Sequence, residues 1–253
     1  MGWRDYNNSI NPYNTIKCIK ITEEIMKRKI ILILAILSVA VAAFGKSFKP
    51  NKFFKPVYKS TTEKWYKVGD IVVDEDNNPI AVIIKGNTVA RDTVLGVALV
   101  QKEDLAWALE GAAGYKEKIH AMIDTKTTGK SGYTNATVFY NEFNKWGDEL
   151  ENYPVWAYAK SYNAGGFDDW FIPSTEEFNL ILEESEKINT ALNYLNAPLL
   201  LDKSYWTSNP AAVNNDNAYY MNFSRGKTVS VPKSEKKYVC LVREFNISNE
   251  DLR

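Results

Sequence analysis

The side chains best suited to chemistry in this sequence are few and scattered. Histidine occurs once, as His120 in Ile119-His120-Ala121-Met122. General-base catalysis by histidine needs an orienting partner and a nucleophile, so a surface or half-buried helix histidine is expected. Gly129-Lys130-Ser131 imitates the end of a phosphate-binding loop, but the glycine required five residues before Gly129 is Asp124, and a polar loop is the better reading. There is no G-x-S-x-G elbow and no cysteine or histidine spacing for zinc. Asp74-Glu75-Asp76-Asn77-Asn78 offers oxygen ligands without the spacing or terminal glutamate of an EF-hand loop, and reads as a solvated hairpin turn. Asp168-Asp169 and Glu176-Glu177 are adjacent carboxylates of the kind that serve turns and helix N-termini. A glycosidase needs two carboxylates converging across a cleft, which spacing alone does not establish. The expectation is therefore no catalytic residue, no metal and no cofactor. An extracellular hydrolase acting on glycans or peptidoglycan through Asp168, Asp169 and Glu177 stays as the alternative.

Composition narrows the partners. The 253 residues carry 31 basic and 31 acidic side chains with 45% hydrophobic residues, which is globular and argues against a nucleic-acid partner held by overall charge. Cys18 and Cys240 cannot build a disulfide framework.

The N-terminus changes these totals. Met26-Lys27-Arg28-Lys29 leads into an apolar run from Ile30 to Leu37 that continues through Ser38 to Phe44, the basic, apolar and small-residue parts of a secretory signal peptide. Cleavage after Gly45 is the first choice and Ala40-Val41-Ala42 the second. A membrane anchor is the minority reading, because a spanning helix needs about 20 residues. Residues 1–25 are polar and irregular, so Met26 is read as the true start, residues 26–45 as the signal peptide and residues 46–64 as a basic linker. The globular domain is expected over 65–245 with a tail at 246–253. Cleavage after Gly45 removes Arg4, Lys17, Lys20, Lys27, Arg28 and Lys29 against Asp5, Glu23 and Glu24, leaving a net charge of −3 and one cysteine, Cys240. The chain is expected to be exported to the periplasm, the cell surface or the medium, touching the membrane only through its signal peptide.

Several elements must position whatever chemistry remains. Val68–Val73, an acidic turn and Ile80–Ile84 read as strand, turn, strand, and Val94–Val100 as a further strand. Leu105, Ala106, Ala108 and Leu109 predict a helix over Glu103–Gly111. Thr134–Trp146 and Val155–Tyr162 read as amphipathic helices, the second ending at Gly165-Gly166. Ser174-Thr175-Glu176-Glu177 is a capping box, its serine accepting from a backbone amide and its glutamate reaching back to the cap. Tyr205-Trp206-Thr207, Ala218–Phe223 and Tyr238–Arg243 read as strands, the last burying Cys240 as a small hydrophobe. The class is α+β in one domain.

The segment Gly165-Gly166-Phe167-Asp168-Asp169-Trp170-Phe171-Ile172-Pro173-Ser174-Thr175-Glu176-Glu177-Phe178 resembles the G-G-x-x-D-W-x-L-P-[ST]-x-x-E-L signature of the Legionella collagen-like protein C-terminal domain family, formerly a domain of unknown function. Tyr205-Trp206-Thr207-Ser208, Ala218 to Gly226 and Val239 to Arg243 are similar to its later motifs, and the resemblance spans about Val68 to Arg243. The sequence departs from it at Phe171 and Cys240, where arginines are usual, which suggests that apolar packing replaces a paired contact. The resemblance implies a C-type-lectin-like fold, a small twisted antiparallel sheet with helices and extensive loops, in a secreted bacterial protein. Gly165, Gly166, Asp169, Trp170, Pro173, Ser174, Glu177 and Trp206 are read as holding this fold together. The metal-sugar signatures of true C-type lectins are absent.

Asn209, Asn214, Asn215, Asp216, Asn217, Tyr219 and Tyr220 crowd between two strand candidates. Amides with tyrosines suit recognition of polar ligands, and a plain flexible turn rich in loop formers is an alternative of at least even weight. The expected function is a non-catalytic, exported or cell-surface binding module, an adhesin among the options, for an extracellular glycan or protein. A structural subunit of a surface assembly is a further alternative.

Overall fold

The computed structural model describes residues 65–88, 92–117, 131–200, 203–211 and 214–247. The expected leader, signal peptide and linker, together with Cys18, His120, Gly129 and Lys130, lie outside the described residues. So does the tail beyond Ile247.

The first three strands are β1 (Ile71–Val73), β2 (Pro79–Lys85) and β3 (Thr93–Ala106). They form an antiparallel meander with Val72 opposite Ala81 and Val82 opposite Val97, and their valines and isoleucines other than Val100 are buried, as β-branched side chains favour. The acidic turn between β1 and β2 closes on itself. The Asp74 carboxylate accepts from the backbone amides of Asp76 and Asn78 and from the Asn78 side chain. The Asn78 amide is the main cause holding the Asp74 carboxyl below its usual range.

β3 corrects the helix expected over Glu103–Gly111. The strand continues to Ala106, with Leu105 opposite Lys237 and Ala106 opposite Lys236, and two register shifts absorb the spacing that mimicked a helix. Asp104 sits at φ 66° at the second irregularity. A long neighbouring strand supplied a hydrogen-bonding ladder that local periodicity could not anticipate, and tertiary pairing overrode it.

Four helices follow in part: α1 (Gly132–Trp146), α2 (Pro154–Ser161), α3 (Thr175–Glu183) and α4 (Ser185–Tyr194). Ser131 caps α1 by accepting from Thr134 N, and Gly147 closes it at φ 63°. Pro154 opens α2 at the position where its missing N–H costs nothing. α4 was not expected from sequence, yet it buries Ile188, Ala191 and Leu192 along one stripe.

The last strands are β4 (Ser204–Pro210), β5 (Asn217–Asn222), β6 (Lys227–Pro232) and β7 (Lys236–Asn246). β6 is a further addition to the expected set. The seven strands form one sheet in the order β1-β2-β3-β7-β4-β5-β6. The sheet is mixed, which corrects the expectation of a wholly antiparallel one: β4 and β7 run parallel, with Tyr205 opposite Tyr238. The β5–β6 hairpin supplies the long connection that parallel neighbours require. β7 is central, its Val239, Cys240, Leu241 and Val242 fully buried. Burial pushes the Cys240 thiol well above its usual range. Elsewhere in the core Phe139 stacks on Trp156 at 3.9 Å between ring centroids, with Trp107 edge-on to Trp156 at 5.1 Å. Among the described residues no helix is long and apolar enough to cross a membrane.

Candidate functional site

The glycine-rich motif folds as a brace between helix and sheet. Ala164–Gly166 makes one tight turn in which Gly165 and Gly166 adopt φ 68° and 79°, a region that only glycine visits freely. The Trp170 indole donates back to Ala164 O at 3.2 Å. Asp169 accepts from Arg243 of β7, whose guanidinium lies 3.7 Å from the Phe167 centroid and 4.7 Å from that of Phe245. Phe171 exchanges both backbone hydrogen bonds with Val242, each at 2.9 Å. At the two positions where arginine is usual, Phe171 and Cys240 are both buried. The retained Arg243 carries the charged contact to the motif.

Ser174 and Glu177 form the capping box. The serine hydroxyl accepts from Glu177 N at 3.1 Å, and Glu177 Oε2 accepts from Ser174 N at 2.7 Å. The same oxygen accepts from Gly132 N at 3.0 Å, so one carboxylate joins the first turns of α1 and α3. Gly132 is needed there because a Cβ would stand 2.1 Å from Ile172 O and 2.9 Å from Glu177 Oε2. Burial pushes the Glu177 carboxyl up to about 7, against the lowering influence of those hydrogen bonds and of Lys85.

These two helix starts open onto a cavity of about 330 Å³. Lys85 of β2, Thr93, Val94 and Leu95 of β3, Ser131, Glu176, Glu177 and Leu180 of α3, and Glu244 of β7 line it. Thr93 donates its hydroxyl to Glu244. The aliphatic side chains are thus accompanied by hydroxyls, carboxylates and an amine. Of the carboxylates singled out from sequence, Glu176 and Glu177 reach this cavity and Asp168 and Asp169 do not. Among the described residues no three histidine, cysteine or acidic side chains are grouped to hold a metal ion.

The asparagine-rich segment divides. Asn209 is buried, and its side-chain oxygen accepts from Thr175 N at 2.9 Å at the start of α3. Asn214 forms a local turn, its side-chain oxygen accepting from Asp216 N and its carbonyl from Asn217 N. Asn217 donates its side chain to Ser230 of β6. Asn214 is exposed and Asn215 and Asp216 are half-buried. Tyr219 and Tyr220 are consecutive in β5, so they face opposite sides of the sheet. Tyr220 packs edge-on against Trp206, with Lys237 Nζ 5.0 Å from its centroid.

The sequence profile of the Lcl C-terminal domain matches residues 101–243, more than half of the chain. The chain belongs to that family. The matched span of this Lcl domain begins within β3 and ends within β7, so Lys85, Thr93, Val94, Leu95 and Glu244 of the cavity fall outside it. No curated protein matches the sequence significantly. Among solved structures the fold is similar to that of a fimbrial protein from Bacteroides ovatus, with a TM-score of 0.51 and 16% sequence identity. The alignment covers 70% of this chain and 48% of that one, so the Lcl chain spans about half the length of its structural neighbour.

Sequence reading missed two features of the Lcl domain. The cavity gathers residues from five separated stretches of chain, and no spacing announces it. Lys233 is fully buried, although its surroundings, Pro232-Lys233-Ser234-Glu235-Lys236, look like an exposed turn. Its backbone oxygen accepts from Trp107 N and Ala108 N, and its amide donates to Asp216 O. Its amine donates to Tyr115 O at 2.6 Å and lies 5.2 Å from the Trp107 centroid. Burial pulls the amine down to about 8.

Proposed function

We propose that this Lcl domain is the globular part of an exported bacterial surface protein and acts as a non-catalytic binding module for a glycan or protein, on a C-type-lectin-like scaffold. The observation that carries this reading is the cavity at the starts of α1 and α3. It is concave, it is close to the lower end of the volume range of small-ligand sites, and it combines hydrogen-bond donors and acceptors with an aliphatic floor. The expected export signal, the family and the fold shared with a fimbrial protein support placement at the surface. The exposed Asn214, with Asn215 and Asp216, is a second candidate contact region.

Two carboxylates poised for hydrolysis are less well supported. Glu177 is committed to two backbone amides and Glu244 to Thr93, while Asp169 serves Arg243. The fimbrial neighbour favours a second reading, a subunit of a surface assembly, in which the same cavity would receive a segment of another subunit.

Glycan and matrix-protein arrays probed with the full chain test the proposal, with Lys85→Ala plus Glu176→Ala as one variant and alanines at 214–216 as another. The expected result is a defined ligand class whose binding falls at least tenfold in the cavity variant, on the scale of one or two lost charge-assisted hydrogen bonds. Loss only in the 214–216 variant would move the site to that turn. Absence of any ligand, or binding untouched by either change, would remove the binding reading.

A further inference from the structure

The cavity has a buried titratable group built into its wall. Glu177 Oε2 is the one acceptor shared by Ser174 N and Gly132 N, and these amides belong to the starts of the two helices that supply Ser131, Glu176, Glu177 and Leu180 to the lining. Lys85 lines the same space from β2 and is felt by Glu177 as a favourable charge. The other charged groups facing the space are Glu176 on the same helix and Glu244 on β7, whereas β3 and the cap of α1 present the uncharged Thr93 and Ser131.

We propose that Glu177 is a pH-responsive positioning residue for this cavity: ionised, it ties α1 to α3 and adds to the negative charge around Lys85, and protonated, it loosens the tie and removes one of the carboxylate charges that face Lys85. The inference rests on the cavity being the binding site and deepens that reading by giving it a regulation. A charged acceptor binds backbone amides roughly twice as strongly as a neutral one, so one proton weakens both hydrogen bonds together. The same proton raises the net charge of the lining by one. Burial places the transition near pH 7, where modest acidification shifts it. A capping carboxylate on an exposed helix would titrate far below this range and would be insensitive there.

The test needs no ligand. In the ¹⁵N-labelled full chain, the Gly132 and Ser174 amide resonances are followed from pH 5 to pH 9. They are expected to move together with a single midpoint near 7. Glu177→Gln, which keeps an acceptor oxygen but cannot ionise, is expected to leave both flat, and Lys85→Met to move the midpoint upward. His120→Gln is expected to change nothing, which separates Glu177 from the sole histidine. A flat Gly132 resonance in the unaltered chain, an unmoved midpoint in Lys85→Met, or loss of the transition in His120→Gln would overturn the inference. The titration in the unaltered chain decides the matter even if Glu177→Gln does not fold. A flat titration beside cavity-dependent ligand binding would sink the switch and spare the binding module. A normal titration with no ligand found would do the reverse.

Discussion

Glu177 and Lys233 are both charged, both buried and both without an ion-pair partner among the described residues, yet the protein accommodates them in different ways. Glu177 sits at a helix start, where two backbone amides converge on one of its oxygens and the helix dipole favours a negative charge. Lys233 follows β6 and offers its amine to one carbonyl and to the rings of Trp107 and Tyr115, at 5.2 and 5.8 Å. Each is pushed toward neutrality by burial. The carboxylate lies beside a cavity that a ligand can enter. Lys233 knits the chain after β3, held by its amine and its carbonyl, to the turn before β5, held by its backbone amide. A buried charge is therefore not by itself a sign of a site; what distinguishes Glu177 is that its partners also form a wall.

The sharpest way to break this comparison is at the lysine hub. Trp107 is fully buried, donates its indole N–H to Thr207 O at 3.0 Å and lies beneath the Lys233 amine. Trp107→Ala is expected to cost about 3–5 kcal/mol in urea denaturation. A loss under about 1 kcal/mol would mean that the hub is peripheral to the core.

The next effect has opposite signs in the two regions. The folded chain holds a proton on Glu177 from its ordinary value of 4.5 up to about 7, a range in which the unfolded chain has released it. Stability contributed by this group falls as pH rises through that window. The folded chain releases the Lys233 proton at about 8 whereas the unfolded chain keeps it to 10.5, so stability rises with pH between those values. Each slope is at most about 1.4 kcal/mol per pH unit. Denaturation across pH 4 to 10.5 is expected to lose the first slope in Glu177→Gln and the second in Lys233→Met. If either variant keeps its slope, the corresponding burial is not what shifts the group.

The smallest change separates the wall from the cap. Ser174→Ala removes the acceptor for Glu177 N while leaving Glu177 able to hold Ser174 N and Gly132 N. It is expected to cost about 1 kcal/mol, and the Gly132 resonance should still titrate. Disappearance of that titration would show that the capping serine, and not the carboxylate alone, sets the cavity wall.

Much of the fold was legible because local rules were left intact. The capping box, the proline at the start of α2, the closed turn at Asp74 and the continuous apolar runs of β1 and β2 each follow from a few neighbouring residues. The stretch after Glu103 was not legible, since its apolar spacing suits a helix as well as a bulged strand. Only the length of β7 decided between them. α4 has no side-chain cap, and it stands on packing. The asparagine-rich segment announced polar loop chemistry but not its direction. Burial of Asn209 and the facing of Tyr219 away from Tyr220 depend on where β4 and β5 pair.

The sequence by itself determined the α+β class, the motif from Gly165 to Glu177 and the family, because turn glycines, caps and buried aromatics act over a few residues. Tertiary structure alone decided that Asp169 meets Arg243 across 74 positions of chain, that Lys233 lies inside, and that Lys85, Glu177 and Glu244 surround one cavity. Those facts depend on which strands become neighbours in the sheet, and strand order is set by the burial of whole surfaces rather than by any local run of residues.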